Sequence, residues 1–195
     1  TKFGSWVAID TWIVDKDMEH DGLPEKTSVC PPDCGKCIAA CPTKALSGPH
    51  MMDMGKCVAQ LSYFSTELYS TGLIPEELRE KMGTWLYGCD ICQDVCPMNK
   101  NRWEEADSFP GLDELDEFIK LENIVKMDEK TFLDIIQPRF WYIEKDGLWI
   151  WKCNALQAMV NSGDAKYHKY IKEACTDGNE NVREMAAWAC KKLAL

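Results

Sequence analysis

The chain has 195 residues, of which 46% are hydrophobic, and its 32 acidic side chains outnumber the 22 basic ones to give a net charge of −10. A balance this acidic excludes a general nucleic-acid binder, because the phosphate backbone would repel it. No apolar run approaches the roughly 18 residues of a membrane span, and nothing has the form of a secretory signal. Eleven cysteines without a secretory context predict a reducing, cytoplasmic location.

The charge is uneven along the chain. Residues 139–195 carry nine Lys/Arg and seven Asp/Glu, a net of +2, whereas residues 1–138 carry a net of −12. The chain starts at Thr1 rather than Met, which is expected of a piece of a longer or processed protein.

The N-terminal segment from Phe3 to Val14 is rich in aromatic and β-branched residues, which predicts one strand or two short ones. The charged residues that follow, interrupted by Gly22 and Pro24, predict a loop.

Two cysteine runs dominate the sequence, and each contains the pattern Cys-x2-Cys-x3-Cys-Pro. This spacing is close to that of bacterial ferredoxins that hold two [4Fe–4S] clusters. The first three thiolates surround one cubane, and the Cys before Pro turns away to ligate the other cluster. The pattern therefore predicts two cross-ligated clusters. One is expected on Cys30, Cys34, Cys37 and Cys96, and the other on Cys57, Cys89, Cys92 and Cys41.

Two other uses of eight cysteines fit this pattern less well. Disulfide frameworks are typical of small secreted chains, and zinc sites usually pair one Cys-x2-Cys with a distant second pair. The repeated spacing favours iron–sulfur clusters over both.

Short helices are expected around the cysteines. A helical turn is predicted at Ile38–Cys41 and a longer helix at Met54–Leu68, with Cys57 in its first turn. Pro75 is predicted at the first helical position of a further helix that Met82-Gly83 closes.

The 31 residues between Cys57 and Cys89 form an insertion, since ferredoxins have two residues there. Long ordered insertions tend to be functional, so this one is expected to cover something beside the second cluster.

The C-terminal part is predicted to be helical. Helices are expected at 112–121, 128–136, 147–161, 167–176 and 181–190. Residues 177–193 have the spacing of a HEAT-type helical repeat, with small residues every third or fourth position for close packing.

Together these features predict an α+β, mostly helical fold. Residues 1–100 are expected to form a ferredoxin-like domain with two [4Fe–4S] clusters, 101–146 an acidic helical connector, and 147–195 HEAT-like helical repeats.

A more specific signal lies beyond the cysteine spacing. It consists of Phe3-Gly4-Ser5-Trp6, Ser62-Tyr63 with Glu67, residues 72–79, Met82-Gly83 and residues 87–97. In these residues the sequence resembles epoxyqueuosine reductases and, more distantly, reductive dehalogenases. The similarity covers residues 3–100 well and the helical tail more loosely.

The resemblance implies an oxidoreductase in which two clusters pass electrons to cobalamin, which removes the epoxide oxygen from a modified nucleoside in a tRNA anticodon. It implies that Gly88, Cys89 and Asp90 face the cobalamin, and that a cobalamin-binding domain or subunit precedes this segment. It also implies an electron donor such as a ferredoxin or flavodoxin, and tRNA as a possible partner of the tail. No catalytic residue is assigned here, because the proton donor is expected in the cobalamin-binding half.

Several further residues have a preferred interpretation. The tail cysteines are expected to be small buried hydrophobic residues, and the histidines are expected on solvated surfaces. Trp6 or Trp85 could lie near a cofactor face, while Asp90, Gln93 and Glu67 border the cysteines. The tail cysteines are Cys153, Cys175 and Cys190, and the histidines are His20, His50 and His168. Five basic residues of the tail could contact RNA, but a solvated helix face is the simpler interpretation. They are Lys169, Lys172, Arg183, Lys191 and Lys192.

Two alternative functions stay open at this point. The chain could be a stand-alone two-cluster electron carrier, or a subunit that docks on another oxidoreductase. Less favoured is an RNA-binding helical-repeat module whose clusters are only structural.

Overall fold

The computed structural model describes residues 4–7, 10–19, 22, 30–49, 51–63, 72–101 and 111–195. These residues are mostly helical, with one small antiparallel hairpin, which confirms the predicted α+β fold class. The helices are α1 (Lys36–Ala40), α2 (Val58–Tyr63), α3 (Glu76–Arg79), α4 (Ile91–Asp94), α5 (Leu112–Asp116), α6 (Leu121–Lys126), α7 (Glu129–Thr131), α8 (Leu148–Ser162), α9 (His168–Ala174) and α10 (Glu180–Leu193). The strands are β1 (Leu46–Gly48) and β2 (Met51–Met52), with Leu46 opposite Met52.

Shorter helical turns connect these elements. Turns of 3-10 helix lie at Met54–Lys56, Glu80–Met82, Pro97–Asn99 and Ala165–Tyr167, and a π-helical turn at Phe132–Ile136 continues α7.

The two cysteine runs fold in the same way and pack together. Helix α1 ends where Cys41 becomes extended before Pro42, and α4 is likewise followed by Cys96 and Pro97. Proline cannot donate a backbone hydrogen bond, so each helix stops there. Helix α1 packs directly against α4, which brings the two runs side by side.

The strand predicted from Phe3 to Val14 is wrong for the described residues. Residues 4 and 5 form a turn, and residues 10–14 have no regular secondary structure. Trp12 is 85% and Ile13 99% exposed, so the residues with high β propensity have no sheet to join. Phe3 itself lies outside the described residues.

Helices α6 and α8–α10 surround the larger hydrophobic core. Helix α8 contacts both α6 and α10, and α9 contacts α6 and α10. Fully buried Ala186 and Ala189 on α10 let that helix approach closely. Helix α8 ends at Gly163, whose φ of +66° is the left-handed conformation of a helix C-terminus.

A smaller core lies beneath the second cysteine run. It consists of Val58, Leu61, Ile74, Leu78 and Met82, with Trp85 and Cys89 packed against it. Because all five side chains lie between Cys57 and Cys89, in α2, α3 and the residues that flank α3, the insertion forms the base of this region.

Several helix boundaries differ from the sequence prediction. The helix predicted at Met54–Leu68 is divided into a 3-10 turn at Met54–Lys56 and α2, with Cys57 between them rather than in the first turn of the helix, and residues 64–68 lie outside the described ones. The helix expected at 112–121 ends at Asp116, and α6 starts separately at Leu121 after an extended Lys120. Pro75 stands at the N-cap of α3, one position before the predicted one, with an extended backbone. The helices predicted at 128–136, 147–161, 167–176 and 181–190 are confirmed to within a few residues.

Within the described residues, no helix combines the length and the apolar character that crossing a bilayer requires.

The central role of α8 in the core gives a stability prediction. Leu156→Ala empties a fully buried position and should lower the free energy of unfolding by about 2–5 kcal/mol. The control, Leu112→Ala, alters an exposed side chain and should change it by less than about 0.5 kcal/mol. Urea denaturation of the full chain measures both, and equal losses would contradict this description of the core.

Candidate iron–sulfur centre

The first predicted ligand set lies around one small cavity between the two cysteine runs. Cys30, Cys34 and Cys37 reach it from the first run, and Cys96 reaches it from the second. The cavity has a volume of about 30 Å³. The structure therefore places Cys96 with the opposite run, as expected when the last Cys of a run leaves its own group.

The thiols of the second predicted ligand set lie near one another and near one thiol of the first set. Cys89 and Cys92 both lie within electrostatic range of Cys57, and Cys92 also lies within range of Cys37 and Cys41. Burial, and then the neighbouring thiols, raise the pKa values of Cys89 and Cys92. Crowded thiolates of this kind repel one another unless bound cations neutralise them, and the iron atoms of a cluster supply that charge.

Cys41 accepts hydrogen bonds from its own loop. Burial raises the pKa of its thiol, but hydrogen bonds from the backbone of Leu46, the Thr43 hydroxyl and the backbone of Ala45 together outweigh burial and lower it. The Ala45 N–H lies 3.2 Å from the Cys41 Sγ. Hydrogen bonds to the sulfur ligands are also one of the means by which a protein sets the potential of an iron–sulfur cluster.

Eight cysteines in two predicted groups of four equal the number of thiolates that two cubanes require, because each cubane binds four thiolates, one to each iron atom. Among the described residues, no three Cys, His, Asp or Glu side chains converge tightly enough to ligate a single metal ion.

Helix α2 explains how Cys57 approaches Cys89, although 31 residues lie between them. Cys57 immediately precedes α2, and the buried Ser62 lies at the other end of that helix. The Gly88 N–H donates to the Ser62 Oγ at 3.0 Å, which fixes the loop into Cys89 against α2. Gly88 has a φ of +72°, and an added Cβ would lie 2.9 Å from the Tyr63 hydroxyl. Only glycine fits this position without strain.

A stripe of amide side chains on α8 holds the same loop from the other side. Asn154 donates to the carbonyls of Ser62 and Leu86 at 3.0 and 2.9 Å. Gln157 donates to the carbonyl of Gly83, and Asn161 donates to the same carbonyl at 2.7 Å. Sequence reasoning missed these residues, although three amides at positions i, i+3 and i+7 of an apolar helix share one face and signal a buried polar contact.

The N-terminal segment closes the other side of the second run. Asn99 is buried, and its Oδ1 accepts from the Ser5 N–H at 2.6 Å while its Nδ2 donates to the Gln93 carbonyl at 2.8 Å. Gly4 permits this approach, since a Cβ there would lie 2.2 Å from the Asn99 Oδ1. Sequence reasoning singled out Gly4 and Ser5 without identifying Asn99 as their partner.

A large cavity among the described residues lies beside Asp90. Its volume is about 660 Å³, within the usual range of ligand pockets. Trp6, Trp85 and Asp90 line it together with Cys96, so both tryptophans singled out for a cofactor face lie at the same opening. Gln93 donates to the Asp90 Oδ1 at 2.7 Å and holds that carboxylate in place.

An aromatic cluster extends from this region to the surface. Tyr63 stacks on Tyr142 with ring centroids 4.9 Å apart, and Tyr142 stacks on Trp141 at 4.0 Å. Trp141 is 62% exposed. Burial, followed by the charges of Tyr87 and Asp90, raises the pKa of Tyr63 to about 12, so its hydroxyl stays protonated at neutral pH.

Comparison with known proteins agrees with this geometry. Residues 29–99 match the family model of a 4Fe-4S double cluster binding domain. An epoxyqueuosine reductase of Aliivibrio fischeri is 33% identical over 202 residues, covering 98% of this chain and 49% of its own length. One from Cellulophaga algicola is 43% identical over 99 residues, covering 51% of this chain and 30% of its own. The chain is similar to epoxyqueuosine reductases over nearly its whole length.

Solved structures extend this likeness to the fold. A crystal structure of epoxyqueuosine reductase with a tRNA-Tyr epoxyqueuosine-modified stem loop matches the present chain with a TM-score of 0.65 and 30% identity. The match covers 83% of this chain and 41% of that one. The chain thus spans about half the length, or less, of the relatives it matches.

The predictions for the tail residues are confirmed in some cases and wrong in others. Cys153 is buried as predicted, but the prediction of burial is wrong for Cys175 and Cys190, which are only half-buried. Lys192 pairs with Glu80, and Arg183 donates to backbone carbonyls at the start of α10. His20, His50 and Glu67 lie outside the described residues.

The contact between Gly88 and Tyr63 gives a prediction about the cluster expected on Cys41, Cys57, Cys89 and Cys92. Gly88→Ala forces a left-handed alanine against the Tyr63 hydroxyl, so it should lower the bound iron selectively. Gly163→Ala is the matched control, because it has a φ of +66° but nothing within 4 Å. It should cost about 1 kcal/mol of stability and keep full iron. Iron and sulfide analysis checks both, and equal iron in the two variants would refute a specific role for Gly88.

Proposed function

We propose that this chain is the iron–sulfur, electron-transfer part of a cobalamin-dependent reductase that resembles epoxyqueuosine reductase. The observation that carries the proposal is the meeting of the two cysteine runs at the α1–α4 contact, directly beside a large open cavity. A pair of redox centres next to an accessible face is what electron transfer to a bound acceptor requires.

The proposed ligand sets are the two groups of four thiols. Cys30, Cys34, Cys37 and Cys96 would hold one cluster, and Cys41, Cys57, Cys89 and Cys92 the other. When bound, each [4Fe–4S] cluster supplies one-electron redox chemistry at a potential set by its hydrogen bonds and burial. The hydrogen bonds from Leu46, Thr43 and Ala45 to the Cys41 sulfur would contribute to that potential.

The proposed acceptor face comprises Gly88, Cys89 and Asp90. Its support is the position of Asp90 on the large cavity, with Trp6 and Trp85 beside it. Two indole rings offer flat apolar surface, and Asp90 and Lys36 add polar groups at the same opening. Cobalamin, when bound there, would supply a low-potential reducing centre.

The chain's own residues would hold this face still rather than react. The amide stripe on α8 fixes the backbone that leads into Gly88. The Asn99–Ser5 contact fixes the segment that carries Trp6. No residue of this chain is proposed as the proton donor to substrate, which is expected from a cobalamin-binding domain or subunit.

The proposed substrate class is the epoxide-bearing nucleoside of a tRNA anticodon, by analogy with the relative solved with a modified tRNA stem loop. The exposed Trp141, stacked on Tyr142, offers a flat surface on which an unpaired base can stack. We further propose a ferredoxin or flavodoxin as electron donor. We also propose that the chain has three parts, with boundaries after residues 100 and 146.

The ligand assignment predicts the effect of removing single cysteines. Cys57→Ala removes one of four ligands of the second cluster and should cut bound iron from about eight to about four atoms per chain. Cys153→Ala is the control, because Cys153 is buried in the helical core and no iron should depend on it. Anaerobic iron and sulfide analysis measures both. Full iron in Cys57→Ala, together with iron loss in Cys153→Ala, would overturn the assignment.

The acceptor proposal predicts a response to cobalamin. Reduced protein should show a faster oxidation of its clusters when cobalamin is added together with the cobalamin-binding domain of a relative. Absorption and electron paramagnetic resonance spectra follow the reaction, and Asp90→Asn should weaken the response while Asp94→Asn, the control on the same cavity, alters it less.

One outcome would replace the proposal by its alternative. If the clusters never respond to cobalamin but are oxidised rapidly by a protein acceptor, the chain is a two-cluster electron carrier or a docking subunit.

A further inference from the structure

Two half-buried thiols in the helical tail lie face to face. The Sγ atoms of Cys175, at the C-terminal end of α9, and Cys190, in the last turns of α10, are 3.6 Å apart. Both lie outside residues 29–99, the stretch that matches the double cluster domain. They are therefore cysteines that the two clusters do not use.

The contact differs from that of the third tail cysteine. Cys153 is 3% exposed and donates to the carbonyl of Asn181 at 3.6 Å, so it is enclosed in the core. Cys175 also lies within hydrogen-bond distance of a backbone carbonyl, that of Ile171 at 3.7 Å, but its sulfur additionally contacts that of Cys190, and both residues are only half-buried. Burial, and then the hydrogen bond with Cys175, raise the pKa of Cys190, while Lys172 opposes that rise.

The geometry favours bond formation between this pair. A disulfide requires the sulfurs to approach to about 2.05 Å, roughly 1.5 Å closer than they lie here. Helices α9 and α10 already pack together, and residues 175–179 join them directly, so the two thiols are held near each other.

We propose that Cys175 and Cys190 form a reversible dithiol–disulfide site that reacts with low-molecular-weight disulfides such as oxidised glutathione. One protein thiolate attacks a sulfur of the reagent, the S–S bond of the reagent breaks, and one thiolate leaves. The second protein thiol, on losing its proton, then attacks the protein sulfur of the mixed disulfide and releases the second thiolate. The protein pair loses two electrons and two protons, and the reagent becomes two thiols.

The disulfide would cross-link the end of α9 to α10. It would close a loop from residue 175 to residue 190 and restrict the unfolded chain, which stabilises the folded one. Helix α10 also contacts the segment before the second cysteine run, since Lys192 pairs with Glu80 and Arg79 lies over the Trp188 ring at 5.0 Å. Oxidation would therefore restrict the movement of α10, which contacts Arg79 and Glu80 in the insertion between Cys57 and Cys89.

The test uses the full cluster-loaded chain under anaerobic conditions, so that oxygen does not destroy the clusters. The protein is incubated with oxidised glutathione, alkylated, digested with trypsin and analysed by mass spectrometry. The expected product is a disulfide between the peptides 173–183 and 184–191, and it should disappear after treatment with a thiol reductant. The thermal midpoint should rise by about 5 °C or more on oxidation.

Matched variants separate this site from general cysteine oxidation. Cys190→Ser should leave Cys175 as a mixed disulfide with glutathione and abolish the rise in thermal midpoint, whereas Cys153→Ser should leave both results unchanged. The proposal is overturned if the wild-type chain gives only glutathione adducts without the linked peptide, or if Cys153 is oxidised as readily as Cys175. Because neither result depends on electron transfer to an acceptor, failure here and failure of the proposed function are distinguishable.

Discussion

The packing of α1 against α4 is the contact on which the rest of this structure depends. Each helix carries cysteines and stops where a Cys-Pro pair turns the chain away. Side by side, the two helices place Cys96 at the cavity of the first run and bring Cys41 within range of Cys92. Short spacing gathers three thiols locally, but only a contact between the runs supplies the fourth.

The helical tail contributes to the same site. Asn154 and Gln157 are fully buried on α8, and each donates to a backbone carbonyl of the segment that leads into Gly88. A buried carbonyl without a partner costs free energy, so these amides select one position for that segment. The large core under α8 thus stabilises the loop that holds Cys89, and a change in the tail can be felt at the second cluster.

Sequence reasoning predicted the tail helices because they rest on local spacing, whereas the grouping of the cysteines into two ligand sets stays a prediction. It was wrong about the strand at Phe3–Val14, since β propensity says nothing about whether a partner strand exists, and Ser5 bonds to Asn99 instead. It was also wrong about Cys175 and Cys190, because a composition argument cannot reveal that two cysteines on different helices face each other. Contacts between distant segments, such as Ser62 with Gly88, leave no periodic signal.

The central claim is that each cluster takes ligands from both runs, and iron content in double variants tests it most directly. If Cys34 and Cys96 serve one cluster, Cys34→Ala/Cys96→Ala should lose only that cluster and keep about four iron atoms per chain. Cys34→Ala/Cys92→Ala would then damage both clusters and keep almost none. The opposite result, with iron kept in Cys34→Ala/Cys92→Ala and lost in Cys34→Ala/Cys96→Ala, would contradict the cross-ligated arrangement.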